Sequence, residues 1–149
     1  MRAGAAVGNV LLIEDDDGFA RVVAEMARQC GCTFVRARTL EQARKISAEQ
    51  GFDLLLVDIR LPDGSGLELL DDLDLQSQGR IAIVTGAPSV ESALRVLKSP
   101  VVDYLVKPVL AETLRQLLMA ATDHAGRRAA LAKSAGGMVG PPRRMRALL

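Results

Sequence analysis

Residues 9–17 read NVLLIEDDD: an apolar run from Val10 to Ile13 is followed at once by four carboxylates, Glu14, Asp15, Asp16 and Asp17. The run is unbroken Val, Leu and Ile, with no polar–apolar alternation, which is how a strand buried on both faces reads. The crowded charges behind it repel one another, so something must compensate them. Four further runs repeat the pattern: Thr33 to Val35, Leu54 to Val57, Ile81 to Val84 and Val101 to Val106. The segments between them carry helical spacing. Phe19, Val22, Val23, Met26 and Ala27 mark the first helix, and Leu40, Ala43 and Ile46 the second, with Thr39 placed to cap it. Leu67, Leu69, Leu70 and Leu73 mark the third, and Val90, Ala93, Leu94 and Leu97 the fourth. The fifth begins near Leu110 and continues through Leu114, Leu117, Leu118 and Ala121. Alternating strands and helices with right-handed crossovers predict an α/β fold: a five-stranded parallel sheet with helices on both faces.

The 149 residues suffice for one domain with a real core. Half are apolar (49%) and a quarter charged (25%), a globular balance. Aromatics are scarce and Trp is absent, so the core must be Leu, Val, Ile and Ala. The net charge of +1 argues for neither a nucleic-acid nor a membrane partner, but it hides an asymmetry. From His124 onward the six basic residues have no acid among them, which leaves residues 1–123 at −5. Cys30 and Cys32 are the only cysteines and His124 the only histidine, too little for a zinc site. They read as reduced thiols near a helix-to-strand turn. The first residues are too short and weakly apolar for a signal peptide, and no run approaches a membrane span. A cytoplasmic protein is the expectation.

In such sheets ligands bind at the carboxyl ends of the strands. Glu14 and Asp15 follow the first strand, Asp58 the third, Thr85 the fourth and Lys107 the fifth. Taken alone, Asp58 reads equally as a turn residue before PDGSG, and Lys107 as a solvated lysine. Their convergence on one sheet edge is the signal. Clustered carboxylates raise one another's pKa unless a cation holds them ionised, and Mg²⁺ suits an oxygen site that also receives a phosphate. Lys107 adds a positive charge and Thr85 a hydroxyl donor, so the set favours an added phosphoryl group. That group could belong to a bound ligand or sit on Asp58 itself.

The stretches VLLIEDD, DLLLVDIRLPDGSGLELL, IAIVTGA and DYLVKP resemble a response-regulator receiver domain over about residues 9–122. The resemblance implies the flavodoxin-like, doubly wound strand order 2-1-3-4-5. It also implies Asp58 as phosphoacceptor, Thr85 and Lys107 as holders of the phosphoryl oxygens, and Tyr104 as the switch aromatic. Mg²⁺ would be held by Glu14, Asp15, Asp58 and the backbone carbonyl of Arg60, with Glu14 acting through water. Asp16 and Asp17 fall outside this pair and read as the negative first turn of a helix. The chain departs from the family in Glu14, commonly Asp, and in Pro100 and Val101, where Gly-Ala is usual. Arg60 and Ala87 stand at positions that tune phosphate lifetime in the family.

The last helix is predicted to run on to about Ala135, roughly 35–40 Å in all, with 123–137 as a helical linker. Residues 138–149, GMVGPPRRMRALL from Gly137, resemble the opening of the AAA+ domain of sigma-54-dependent activators in Val139, Gly140 and Met145, with Pro142 where Ser is usual. A disordered basic tail is the alternative. The implied partners are a sensor histidine kinase and a second copy, joined through the face of the fourth helix, fifth strand and fifth helix or through the linker helix. Neither nucleic acid nor membrane is expected to contact this chain. It is expected to be a switch and not an enzyme. A Mg²⁺-dependent phosphohydrolase is a rival, though Arg60 occupies the place where phosphatases of the haloacid-dehalogenase type need a second Asp. A flavin or nucleotide module is disfavoured by acids where a Gly-rich loop belongs. A receiver attached to a hybrid kinase stays open.

Overall fold

Why the apolar runs lack alternation is plain in the computed structural model, which describes residues 6–72, 79–99 and 103–135. The strands β1 (Asn9–Ile13), β2 (Thr33–Ala37), β3 (Leu54–Asp58), β6 (Arg80–Thr85) and β7 (Asp103–Val106) form one parallel sheet ordered β2-β1-β3-β6-β7. Counting only these five, the order is the expected 2-1-3-4-5. Successive side chains point to opposite faces, and both faces are covered. Leu11, Ile13, Leu55, Val57, Ile81 and Ile83 meet helices α2 (Leu40–Glu49), α3 (Leu69–Asp72) and α4 (Val90–Leu97). Val10, Leu12, Leu54, Leu56, Ala82 and Val84 meet α1 (Asp17–Gln29) and α5 (Ala111–Ala135). Each fully buried Leu or Ile contributes about 2 kcal/mol of transfer free energy.

Local chemistry sets the helix starts. Thr39 accepts from Gln42 N at 3.1 Å, the expected cap. Asp16 is the cap of α1, its Oδ1 accepting from Gly18 N at 2.9 Å, so it stands one residue before the first turn. Asp17 is the first helical residue, and it is paired with Arg36 and Arg38 at 2.9 and 2.7 Å. At the other end of α1 the two thiols are free, and Gly31 between them takes φ +76° to turn the chain into β2.

The third helical segment differs from its sequence reading. A two-strand hairpin, β4 (Arg60–Leu61) with β5 (Gly64–Ser65), comes first. A 3-10 turn at Gly66–Glu68 follows, and only then does α3 begin, at Leu69. The cause is a close approach: a Cβ on Gly66 would lie 2.0 Å from the Asp58 carbonyl oxygen. Ser65 then caps the turn in a reciprocal box with Glu68. Leu73, the Pro100–Val101 departure and residues 136–149 lie outside the described residues.

The last helix is a single 25-residue element, as its spacing predicts. Its contact with the body runs past residue 122. Ala125 is fully buried, and Asp53, 1% exposed just before β3, takes three donors. Asn9 N donates at 2.8 Å, Arg128 donates through Nε and Nη2 at 3.1 and 3.0 Å, and His124 Nδ1 lies 2.6 Å away. From Gly126 to Lys133 the helix is exposed. No helix among the described residues is long and apolar enough to cross a membrane.

Candidate functional site

The carboxyl edge of the sheet gathers the acids. Glu14 leaves β1 with its N–H on Ala37 O at 2.9 Å, while Arg36 Nε donates to its carbonyl at 3.0 Å. The backbone is therefore held between β1 and β2, and the side chain turns inward to 1% exposure. Asp15 stays exposed and Asp58, ending β3, is buried. Oxygens of these three carboxylates lie within 4.8 Å of one another. The first loop after β7 brings Lys107 over them: Nζ is 2.6 Å from Glu14 Oε1 and 3.4 Å from Asp58 Oδ2. Phe19 backs the ammonium from 4.7 Å, a support the sequence reading did not find.

The electrostatics are those of an acid cluster short of positive charge. Burial first, and the neighbouring Asp58 carboxyl second, push Glu14 up to about 7, against the pull of Lys107. Burial would lower Lys107, but its bond to Glu14 and the charge of Asp58 outweigh it and raise the ammonium's pKa. Lys107 thus pairs with Glu14 and Asp58, and the exposed Asp15 adds a third carboxylate, a donor set of hard oxygens that fits a small divalent ion.

Thr85, fully buried at the end of β6, stands beside this cluster, but its hydroxyl is turned to accept from Ala87 N at 3.0 Å. Its carbonyl accepts from Lys107 N at 2.8 Å, which ties the β6 and β7 ends together. Arg60 N donates to Asp58 Oδ1 at 3.2 Å, and the Arg60 side chain is exposed. Tyr104 packs against the core with its hydroxyl 2.5 Å from Ser92 Oγ. The structure therefore brings Glu14, Asp15, Asp58 and Lys107 together, with Thr85 adjacent. Tyr104 sits apart under α4. Asp63, in the loop after β4, reaches back to accept from Leu40 N and Glu41 N at 2.8 and 3.1 Å, fixing that loop against α2.

The family described as the response regulator receiver domain matches residues 10–119, most of the chain. The chain belongs to the response regulator receiver domain family. Response regulator protein PilR of Pseudomonas aeruginosa is 41% identical over 86 residues, 57% of this chain and 19% of that protein. Transcriptional regulatory protein ZraR of Escherichia coli K12 is 31% identical over 146 residues, 95% of this chain and 33% of that protein. The chain thus spans a third or less of these two relatives. A crystal structure of a response regulator from Burkholderia pseudomallei, with a phosphorylated aspartic acid, calcium ion and citrate, superposes with TM-score 0.68 at 28% identity. That match covers 83% of this receiver and 74% of that chain. On the opposite side of α4 from Tyr104's bond, the receiver exposes Val90, Leu94 and Leu97; Val106, the last residue of β7, and Leu110, just before α5, are exposed as well.

Proposed function

We propose that Asp58 is the phosphoacceptor of this receiver and takes its phosphoryl group from a phosphohistidine of a sensor kinase. The observation that carries the reading is the packing of three carboxylates within 4.8 Å of one another, with the Lys107 ammonium on Glu14 and Asp58. An Asp58 carboxylate oxygen attacks phosphorus in line. The P–N bond breaks, and the imidazole keeps the electron pair. Glu14, Asp15, Asp58 and the Arg60 carbonyl are the residues that would hold Mg²⁺, which when bound neutralises charge on the phosphoryl oxygens. Lys107 shifts its ammonium from the carboxylates to a phosphoryl oxygen. The Thr85 hydroxyl leaves Ala87 N and donates to another. Tyr104 is the aromatic that answers this movement.

The wider role extends the same reading. Residues 9–122 are the receiver, 123–137 its linker, and 138–149 the start of a sigma-54-type AAA+ output domain. Phosphorylation then controls transcription in the cytoplasm. The exposed apolar face of α4, β7 and α5, or the projecting end of α5, joins two copies. In this role the receiver is a switch that keeps its phosphoryl group, without steady turnover of phosphate esters.

Incubation with acetyl phosphate and Mg²⁺ raises the intact mass by one phosphoryl group, and chelation of the metal prevents it. An unchanged mass with the metal present overturns the assignment, and many turnovers per chain would reinstate a phosphohydrolase. Asp17→Asn leaves the uptake rate unchanged, because Asp17 is bound to Arg36 and Arg38 outside the trio. A loss equal to that of an Asp15 variant would undo the division of the EDDD run.

A further inference from the structure

Ser92 is a polar side chain in an apolar place. It lies on the inner face of α4, 5% exposed, where Val96 one turn later packs into the core. Its hydroxyl lies 2.5 Å from the Tyr104 hydroxyl, and Ser89 N donates to that same tyrosine oxygen at 3.4 Å. Ser92 also completes the cap of α4. Its N–H donates to Ser89 Oγ at 3.0 Å, its Oγ accepts from Ser89 N at 3.3 Å, and its hydroxyl donates to Ser89 O at 3.0 Å.

A serine hydroxyl has one proton and two lone pairs. With that proton on Ser89 O, Ser92 Oγ accepts from Tyr104 with one lone pair, the Ser89 hydroxyl at 3.0 Å and the Ser89 N–H at 3.3 Å share the other, and that N–H is itself divided between Ser92 Oγ and the Tyr104 oxygen. Every group in this set has a partner. The set also joins two elements: the first turn of α4 is capped partly by a side chain of β7.

We propose that Ser92 is the positioning residue of the switch, holding the Tyr104 ring beneath α4 and making the N-terminal cap of α4 dependent on that ring. This rests on Tyr104 being the switch aromatic. Tyr104 cannot swing away without releasing Ser92 Oγ and Ser89 N, so its departure loosens the first turn of α4. That turn carries Val90 at the start of the exposed apolar row of α4. Ser92 would thereby link the ring's rotamer to the surface that meets a partner.

Tyr104 is the only tyrosine of a chain that has no tryptophan, so its emission reports on this ring alone. The test uses the whole chain without phosphodonor, which keeps it independent of the Asp58 assignment. In Ser92→Ala the outward population of Tyr104 rises roughly fivefold, the equivalent of one net hydrogen bond. It is read as increased acrylamide quenching of native-state emission. Ser92→Thr keeps the hydroxyl and quenches like wild type. Tyr104→Phe, which leaves Ser92 in place, speeds amide exchange at Ser92 and Ala93 in the first turns of α4. Unchanged quenching in Ser92→Ala, equal quenching in Ala and Thr variants, or unchanged α4 exchange in Tyr104→Phe each overturns the proposal. A purely structural Ser92 would lower the unfolding midpoint and leave native-state quenching where it was.

Discussion

Asp58→Asn will take up no phosphoryl group from acetyl phosphate and Mg²⁺, and it will fold more stably than the wild type. The first result follows from chemistry, since an amide oxygen is not a competent nucleophile for phosphorus. The second follows from the crowding of the site. Asp58 lies in a trio of carboxylates within 4.8 Å of one another, two of which share the Lys107 ammonium, and Lys107 is closer to Glu14, at 2.6 Å, than to Asp58, at 3.4 Å. The amide keeps the oxygen that accepts from Arg60 N at 3.2 Å and removes one negative charge. Charges this close still repel strongly at the dielectric of a protein surface, so relief of roughly 1 kcal/mol in the cation-free protein is expected. For a chain of this length that is a rise in Tm of about 2–4 °C. The pairing of outcomes is what makes the test sharp. Lost uptake with a lowered Tm would indicate damage to the fold. Uptake surviving in Asp58→Asn would move the phosphoacceptor elsewhere.

The same repulsion explains why the site could be read from sequence. Acids at the end of a buried strand are costly unless they are used, and in a parallel sheet all strand ends of one sense reach one edge. Glu14, Asp58, Thr85 and Lys107 could therefore be brought together from spacing alone, as could the five strands from their unbroken Val, Leu and Ile. Features that depend on a close approach could not. Leu67, Leu69 and Leu70 keep helical spacing, yet Gly66 lies against the Asp58 carbonyl and the α-helix starts only at Leu69. Asp16 and Asp17 differ by one position, the difference between a cap and a first turn, and that is finer than periodicity resolves. Ser92 gave one usable signal, a serine three residues after Ser89, but the partner from β7 is a matter of packing. The greatest miss was at the opposite edge. Asp53 and Arg128 are 75 residues apart, and Arg128 was counted with a basic tail. The only trace was an acid placed directly before the apolar run Leu54 to Val57.

That miss leads to the second large effect: Asp53→Ala will destabilise the receiver by about 2–3 kcal/mol. Deleting one partner of a fully buried ion pair costs more than this, because the other charge is stranded. Here the partners are not stranded completely, since the Arg128 side chain is 52% exposed and His124 31%, so water recovers part of the loss. Asn9 N, at the first residue of β1, loses its acceptor as well. The expected fall in Tm is about 5–10 °C. Arg128→Ala, which leaves Asp53 with Asn9 and His124, should cost less than half as much. Amide exchange along 126–133, which has no other packing, should rise in both variants relative to 114–121. The pH dependence carries a definite sign. Burial pushes the Asp53 carboxyl up, but Arg128, the Asn9 N–H and His124 outweigh it and hold the group below its ordinary 3.8. A depressed carboxylate contributes its full stability above the ordinary value and loses it as the pH falls through the lower, folded value. The stability gap between wild type and Asp53→Ala should therefore be constant above about pH 5 and narrow below pH 4. A gap that instead widens with acid, or a variant with unaltered Tm, would show that the apolar contacts of Leu114, Leu117, Leu118, Ala121 and Ala125 hold α5 to the sheet without the Asp53 pairs.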